Sequence, residues 1–199
     1  MKILAASFRP TMLLLCAAAI VFASPRFVQT EPAIKEQLKY YDVSGRSLRD
    51  VSGLILSASP ITIDGKKHIG YCHYDIRWQY RYASDSGWCA ITSVAVTVDI
   101  TSTMPRWTDY PGAQPEAQEK WNSFFARLSE HEEGHARLYR EAARDIEREI
   151  GSLRRRSCQE LKEAVDETGN GLLKQLRTAD EDYDAKTKHG ALQGAVLQF

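Results

Sequence analysis

Residues 68–82 alternate strictly between apolar and polar side chains, which is the pattern of a half-buried β-strand. One face carries Cys72, Tyr74, Ile76, Trp78, Tyr80 and Tyr82, and the other carries His73, Asp75, Arg77, Gln79 and Arg81. Residues 88–101 alternate in the same way, and the sequence SDSG at 84–87 lies between the two runs. The pattern predicts a long antiparallel hairpin that closes at 84–87.

Two shorter elements are predicted before this hairpin. The sequence KYYDV at 39–43 is typical of a further strand. In SLRDVSGLIL at 47–56 the apolar residues recur at helical spacing, and Ser47 can cap the N-terminus of that helix. We therefore expect one short helix next to the sheet.

The second half of the chain has helical periodicity. From Pro115 to about Leu153 the apolar residues are three or four positions apart, which predicts one long amphipathic helix. Its buried stripe is formed by Trp121, Phe124, Phe125, Leu128, Leu138, Tyr139, Ala142, Ile146, Ile150 and Leu153.

A second helix is predicted after this long one, from about Ser157 to Leu176. Its pattern is interrupted or loosened at Gly169-Asn170-Gly171. Residues 183–199 lack helix-long periodicity and are predicted to form a structured tail or a functional loop. The predicted fold class is therefore α+β, with an N-terminal antiparallel sheet and short helix followed by a C-terminal long-helix half.

The first 23 residues have the features of a cleavable secretory signal. A basic start is followed by the apolar run 11–22 and by the small residue Ala23. The run is too short to remain as a membrane-spanning helix, so no integral membrane segment is expected in the mature chain. We expect a single domain of residues 24–199 in the bacterial periplasm or outside the cell.

The charge balance excludes some classes of partner. The chain has 26 basic and 26 acidic residues, and loss of Lys2 and Arg9 with the signal leaves 24 against 26, a net charge of −2. A nearly neutral chain gives no electrostatic reason to expect nucleic acid or an anionic membrane as a partner.

Three cysteines remain after cleavage of the signal, and the expected compartment favours disulfides. If the hairpin closes at 84–87, Cys72 and Cys89 lie on the order of 30 Å apart at about 3.3 Å per residue. A disulfide requires Cα atoms within about 7 Å. Cys158 should therefore be one partner. Cys89, on the more polar face near the turn, is better placed than Cys72 to reach a helix.

The sequence HEEGH at 131–135 lies on the buried stripe of the long predicted helix. His131 and His135 are one turn apart, so both rings can bind one tetrahedral zinc ion through bonds of about 2.0–2.1 Å. Zinc lowers the pKa of its bound water to about 7, and Glu132 can accept a proton from that water. This is the motif of a zincin-type metallopeptidase helix.

A catalytic zinc ion needs a third protein ligand and one open position. Glu141 is excluded, because at about 100° per residue it points away from both histidines on a straight helix. His68 and His73 are weaker candidates. Tyr183 could donate a hydrogen bond to the oxyanion of a tetrahedral intermediate, or it could be a packing residue. The downstream candidates for the third ligand are Asp180, Glu181, Asp182, Asp184 and His189.

The mature chain resembles the domain-of-unknown-function 922 family, described as predicted secreted zinc-dependent proteases of bacteria. The similarity runs through YYDVSG at 40–45, RWQYRY at 77–82, MPRW at 104–107, Trp121, HEEGH, Cys158 and YDAKTKHG at 183–190.

The resemblance implies roles for particular residues. It implies that both histidines of HEEGH bind zinc and that Glu132 is catalytic. It favours His189 as the third ligand, with Asp184 as the alternative, and it agrees with a Cys89–Cys158 disulfide.

We therefore expect a secreted or periplasmic zinc-dependent peptidase with peptide or protein substrates, in which His131, His135 and His189 hold Zn²⁺ and Glu132 activates water. One alternative is a metal-dependent hydrolase of a non-peptide amide in the cell envelope. Another is a non-catalytic envelope or binding protein with a structural metal. A structural zinc site is closed by four protein ligands, so an open position would distinguish the two kinds of site.

Overall fold

The fold is described here for residues 30–199 of a computed structural model, so the predicted signal at 1–23 lies outside the described residues. The elements in chain order are β1 (Ala33–Val43), α1 (Leu48–Ala58), β2 (Thr62–Ile63), β3 (Lys66–Lys67), β4 (Tyr71–Asp85), β5 (Trp88–Trp107), α2 (Pro115–Gly151), β6 (Arg154–Arg155) and α3 (Cys158–Thr187). Short 3-10 turns lie at Tyr110–Gly112 and Ala191–Gln193. The α+β class predicted from the sequence is confirmed.

The main sheet has the strand order β1-β5-β4, and β6 pairs with the start of β5. The predicted hairpin is β4–β5, closed by Ser86 and Gly87, whose φ angles of 49° and 76° suit a tight two-residue turn. One pairing differs from the expected antiparallel sheet. β5 lies between the other two long strands, and it pairs with β4 in antiparallel orientation but with β1 in parallel orientation.

A bulge in the hairpin decides which way Cys89 points. Arg81 pairs with Ser93 but Tyr82 pairs with Ile91, so β5 has one extra residue there. The extra residue reverses the alternation of the strand, because side chains alternate with period two. Cys89 therefore lies on the buried face, and its prediction on the more polar face was wrong.

The disulfide Cys89–Cys158 is present, with Cα atoms 5.1 Å apart, and it joins the tip of the hairpin to the start of α3. Cys72 is a buried free thiol. The elimination of a 72–89 pair is therefore confirmed.

Helix starts follow the expected local chemistry. Ser47 and Asp50 form a reciprocal capping box at α1, which confirms the predicted cap. Pro115 occupies the first turn of α2, where its missing N–H costs no hydrogen bond. The Ser157 side chain accepts a hydrogen bond from the backbone N–H of Glu160 at the start of α3.

The helix α3 is continuous to Thr187, so the predicted end near Leu176 and the predicted interruption at 169–171 were wrong. Gly169 faces the sheet, and a Cβ there would lie 2.4 Å from Cζ2 of Trp78. The glycine is therefore required by close packing of α3 against β4 and does not break the helix. As a consequence, Tyr183 and Asp184 are helical residues and do not belong to a loop.

Two hydrophobic clusters lie along α2. One is formed by the sheet with α3 and the C-terminal half of α2, and the other by α1, the end of β1 and the N-terminal part of α2. Between Leu128 of the second cluster and Ala136 of the first, α2 buries His131, Glu132 and His135. The polar segment thus lies at the junction of the two clusters. No helix within residues 30–199 has the length and apolar character needed to cross a membrane.

Candidate metal centre

Three side chains converge at this junction. Nε2 of His131 lies 3.3 Å from Nε2 of His135, and each nitrogen lies 3.2 Å from Oδ1 of Asp184. Both histidines are buried, whereas Asp184 is partly exposed. The three atoms form a nearly equilateral triangle supplied by α2 and α3.

The triangle has the dimensions of one face of a small tetrahedral coordination site. Ligand atoms bonded to one tetrahedral ion at about 2.0–2.1 Å lie about 3.3–3.4 Å apart, which is close to the observed separations. All three atoms can offer lone pairs, and such atoms approach this closely only when a proton or a metal ion lies among them. The residues present therefore fit a divalent metal ion.

Each of the three candidate ligands has a second polar partner. Nδ1 of His135 lies 2.6 Å from Oδ1 of Asp180, and Oδ2 of Asp184 lies 3.1 Å from Nδ1 of His189. Nδ1 of His131 lies 2.8 Å from Oε1 of Gln193. Outer partners of this kind orient metal-binding histidines and set which nitrogen carries the proton.

The electrostatics of the triangle favour a cation. Burial lowers the pKa of His135, but hydrogen bonds to Asp180 and Asp184 outweigh it and raise that pKa to about 9. Burial opposes ionisation of Asp184, yet hydrogen bonds from His131 and His135 hold the pKa of its carboxyl well below the usual range. When no metal is bound, a proton on His135 supplies the positive charge.

Glu132 lies next to the triangle but is not one of its corners. Its side chain is 5% exposed and packs against Gly70, where a Cβ would lie 2.3 Å from Oε1. Burial raises the pKa of the Glu132 carboxyl to about 7, and the nearby His135 and His131 partly oppose that rise. Glu132 thus combines a sterically defined position with a pKa near neutrality, as a general base requires.

His189, the third ligand favoured by the resemblance, lies outside the triangle. Its side chain is 63% exposed and contacts the outer oxygen of Asp184. The continuous helix α3 is the physical reason, because it carries Asp184 to the level of both α2 histidines and leaves His189 beyond its C-terminus. The structure therefore brings together the alternative third ligand, Asp184, with His131 and His135.

Tyr183 stacks on the ring of His131, with ring centroids 5.1 Å apart. Its hydroxyl donates to the carbonyl oxygen of His131 at 2.9 Å and accepts from Nε2 of Gln193 at 3.1 Å. Both hydrogen bonds commit the hydroxyl to α2 and to the C-terminal segment. This geometry corresponds to the packing alternative for Tyr183 and gives no support to the oxyanion role.

The remaining sequence candidates have separate places. Glu141 is exposed on α2, in agreement with its exclusion as a metal ligand. His73 is exposed on the polar face of β4. The ring of His68 lies edge-on to that of His189, with centroids 5.5 Å apart. Gln193 was missed by sequence reasoning, because a lone amide in an aperiodic tail gives no signal.

A cavity of about 440 Å³ opens onto the triangle and Glu132. Its apolar wall is supplied by α1, β2 and the first half of α2, through residues such as Leu56, Ile63, Phe124 and Leu128. Lys66, Lys67 and His68 line another side. The side chains of the triangle are thus accessible to a small molecule or to part of a chain entering from solvent.

Comparison with known proteins gives one family. The family described as "Bacterial protein of unknown function (DUF922)" matches residues 38–190, which is more than half of the chain. No curated protein and no solved structure matches the chain. The match contains HEEGH and Asp184 but ends before Gln193.

Proposed function

This chain belongs to the bacterial family of unknown function DUF922, and we propose that it is a zinc-dependent peptidase. In this proposal His131, His135 and Asp184 hold the metal, and Glu132 is the general base. The proposal rests on the chemistry of the site, because the description of the family assigns no activity.

The observation that carries the proposal is the triangle of donor atoms beside a buried glutamate. Nitrogen and oxygen donors at separations of 3.2–3.3 Å suit tetrahedral zinc, for which two histidines and one carboxylate are a known catalytic ligand set. When bound, the metal would act as a Lewis acid and lower the pKa of water.

The residues of the chain would perform the proton transfers. Glu132 would accept a proton from the attacking water and pass it to the leaving amine, a role that suits a buried carboxyl group beside the metal position. Asp180 would hold His135 through its 2.6 Å contact with Nδ1, so that Nε2 faces the metal position.

An open side of the site supports catalysis over a purely structural metal. The triangle supplies three protein ligands, and the cavity reaches all three of them. A structural zinc site is closed by a fourth protein ligand. His189, which could have closed the site, contacts the outer oxygen of Asp184.

We also propose that the protein is exported through the signal at 1–23. The Cys89–Cys158 disulfide supports this proposal, since disulfides persist in the periplasm and outside the cell and are rare in the cytosol.

The decisive experiment compares Glu132→Gln with Glu133→Gln in zinc-loaded mature protein. Glu133 is the neighbouring exposed glutamate and forms an ion pair with Arg140, so it is a matched control. We expect Glu132→Gln to retain zinc and to lose about 10²–10⁴-fold of the hydrolysis of a fluorogenic peptide library, the usual contribution of a general base. Glu133→Gln should hydrolyse the library at the wild-type rate.

Equal hydrolysis by wild type and Glu132→Gln would contradict the catalytic role. Zinc binding without cleavage of any peptide, but with release of amines from cell-wall material, would replace the peptidase with a hydrolase of another amide. Zinc binding with neither activity would favour a structural metal.

A further inference from the structure

The chain reverses direction immediately after α3 in an unusual conformation. Lys188, His189 and Gly190 have consecutive positive φ angles of 51°, 50° and 80°. For the two non-glycine residues this left-handed conformation is strained. At Gly190 a Cβ would lie 3.1 Å from Cγ of His131, so the turn packs directly on that ring.

The reversal places Gln193 in a closed ring of hydrogen bonds with His131 and Tyr183. The Tyr183 hydroxyl donates to the carbonyl oxygen of His131 at 2.9 Å. Nε2 of Gln193 lies 3.1 Å from that hydroxyl, and Oε1 lies 2.8 Å from Nδ1 of His131.

The order of donors in this ring leaves one consistent arrangement. Because the only proton of the Tyr183 hydroxyl goes to the carbonyl, the hydroxyl must accept from the NH₂ group of Gln193. The amide oxygen of Gln193 must then face His131, and it can only accept a hydrogen bond. Nδ1 of His131 therefore carries a proton, which leaves Nε2 as the nitrogen that can offer its lone pair to a metal ion.

We propose that Gln193 is a positioning residue of the metal centre, which holds His131 in the tautomer and orientation required for metal binding, with Tyr183 fixing the orientation of the Gln193 amide. The inference rests on the proposed metal site but not on the proposed peptidase activity. It extends the site beyond the family match at residue 190 into the C-terminal segment.

The test is zinc affinity, measured by competition with a chelator, for the full mature chain and its variants. Gln193→Leu removes the acceptor and should weaken zinc binding about 10–100-fold, the usual effect of losing such an outer partner. Gln193→Glu keeps an acceptor at the same reach and should stay within about threefold of wild type or bind more tightly. The control is Leu192→Ala, because Leu192 is 65% exposed in the same turn; it should bind zinc like wild type.

A second measurement separates positioning from general destabilisation. If Tyr183 acts through Gln193, the single variant Tyr183→Phe should weaken zinc binding. The same substitution should cause no additional loss of zinc affinity when Gln193→Leu is already present. The absorption spectrum of the Co²⁺-loaded protein should change in Gln193→Leu, while its metal-free form should still unfold in one cooperative thermal transition.

Unchanged zinc affinity in Gln193→Leu, or equal loss in Gln193→Glu and Gln193→Leu, would overturn the role of Gln193. Additive losses in the double variant would overturn the role of Tyr183. If the wild-type protein does not bind zinc, the proposed metal site is wrong. If the wild-type protein binds zinc but hydrolyses no peptide, only the proposed peptidase activity is wrong.

Discussion

Replacement of Gly70 by alanine tests whether the position of Glu132 matters for catalysis. A Cβ at residue 70 would lie 2.3 Å from Oε1 of Glu132 and 2.9 Å from Cδ1 of Leu128. Gly70 has no positive φ angle, so alanine is compatible with its backbone and the effect is one of space alone.

The size of the effect follows from the overlap. Relief of a 2.3 Å contact to a normal separation requires the Glu132 carboxylate to move by roughly 1 Å, and a misplacement of that size can reduce a rate about 10²-fold. This corresponds to about 2.7 kcal/mol in the activation barrier. Zinc should remain bound, because Glu132 is not a ligand in the proposed site.

The assay is kcat/KM on a peptide cleaved by wild type, with the zinc content of each variant measured in parallel. Gly53→Ala is the matched control, since a Cβ there would meet nothing within 4 Å and α1 would only gain helix propensity. Wild-type kcat/KM in Gly70→Ala would refute the reasoning. Loss of zinc together with activity would show that the substitution disturbs the whole centre and not Glu132 alone.

Three further predictions concern packing, pH and the free thiol. Gly171→Ala should raise Tm by about 2–4 °C, because its Cβ meets nothing within 4 Å and alanine has the higher helix propensity. Gly169→Ala should lower Tm, because its Cβ would overlap with Trp78. Equal thermal shifts in the two variants would contradict this prediction. Burial lowers the pKa of His135, but its carboxylate partners outweigh burial and raise the pKa from 6.5 to about 9. Protonation of His135 therefore stabilises the metal-free protein fully below pH 6.5, and this stabilisation is lost as the pH rises through 9. Urea unfolding of chelator-treated protein should show a loss of up to about 3 kcal/mol over that range, and a constant or rising free energy of unfolding would refute it. Burial raises the pKa of Cys72 to about 12, so iodoacetamide at pH 8 should leave the native protein unmodified and alkylate one thiol in urea; modification of the native protein would contradict this.

The features that could be predicted from the sequence are those determined by local periodicity. The alternation in 68–82 and 88–101 predicted β4 and β5, and the stripe from Trp121 to Leu153 predicted α2. The burial of His131 and His135 could be predicted from the same stripe, because residues on the apolar face of an amphipathic helix point toward the core.

The features that could not be predicted depend on contacts between elements. From the sequence alone, Gly169 indicates a break in the helix. Only its contact with the ring of Trp78 shows why glycine is needed inside α3. The reversal at Cys89 depends on a bulge, which shifts the buried positions from Cys89 and Ile91 to Val94 and is established only by the pairing with β4. The place of Asp184 depends on α3 being continuous to Thr187, whereas the sequence predicted an end near Leu176.

The two helices supply the centre through matched spacings. Asp180 and Asp184 are one turn apart on α3, and His131 and His135 are one turn apart on α2. Each helix therefore places two side chains of the centre opposite those of the other helix. Such a pairing requires the helices to lie close together there. Gly134 provides that closeness, since a Cβ at this position would lie 2.1 Å from the hydroxyl oxygen of Tyr183. The glycine of HEEGH therefore has a structural reason independent of the metal. It lets α3 approach closely enough for Asp184 to complete the triangle and for Tyr183 to orient Gln193.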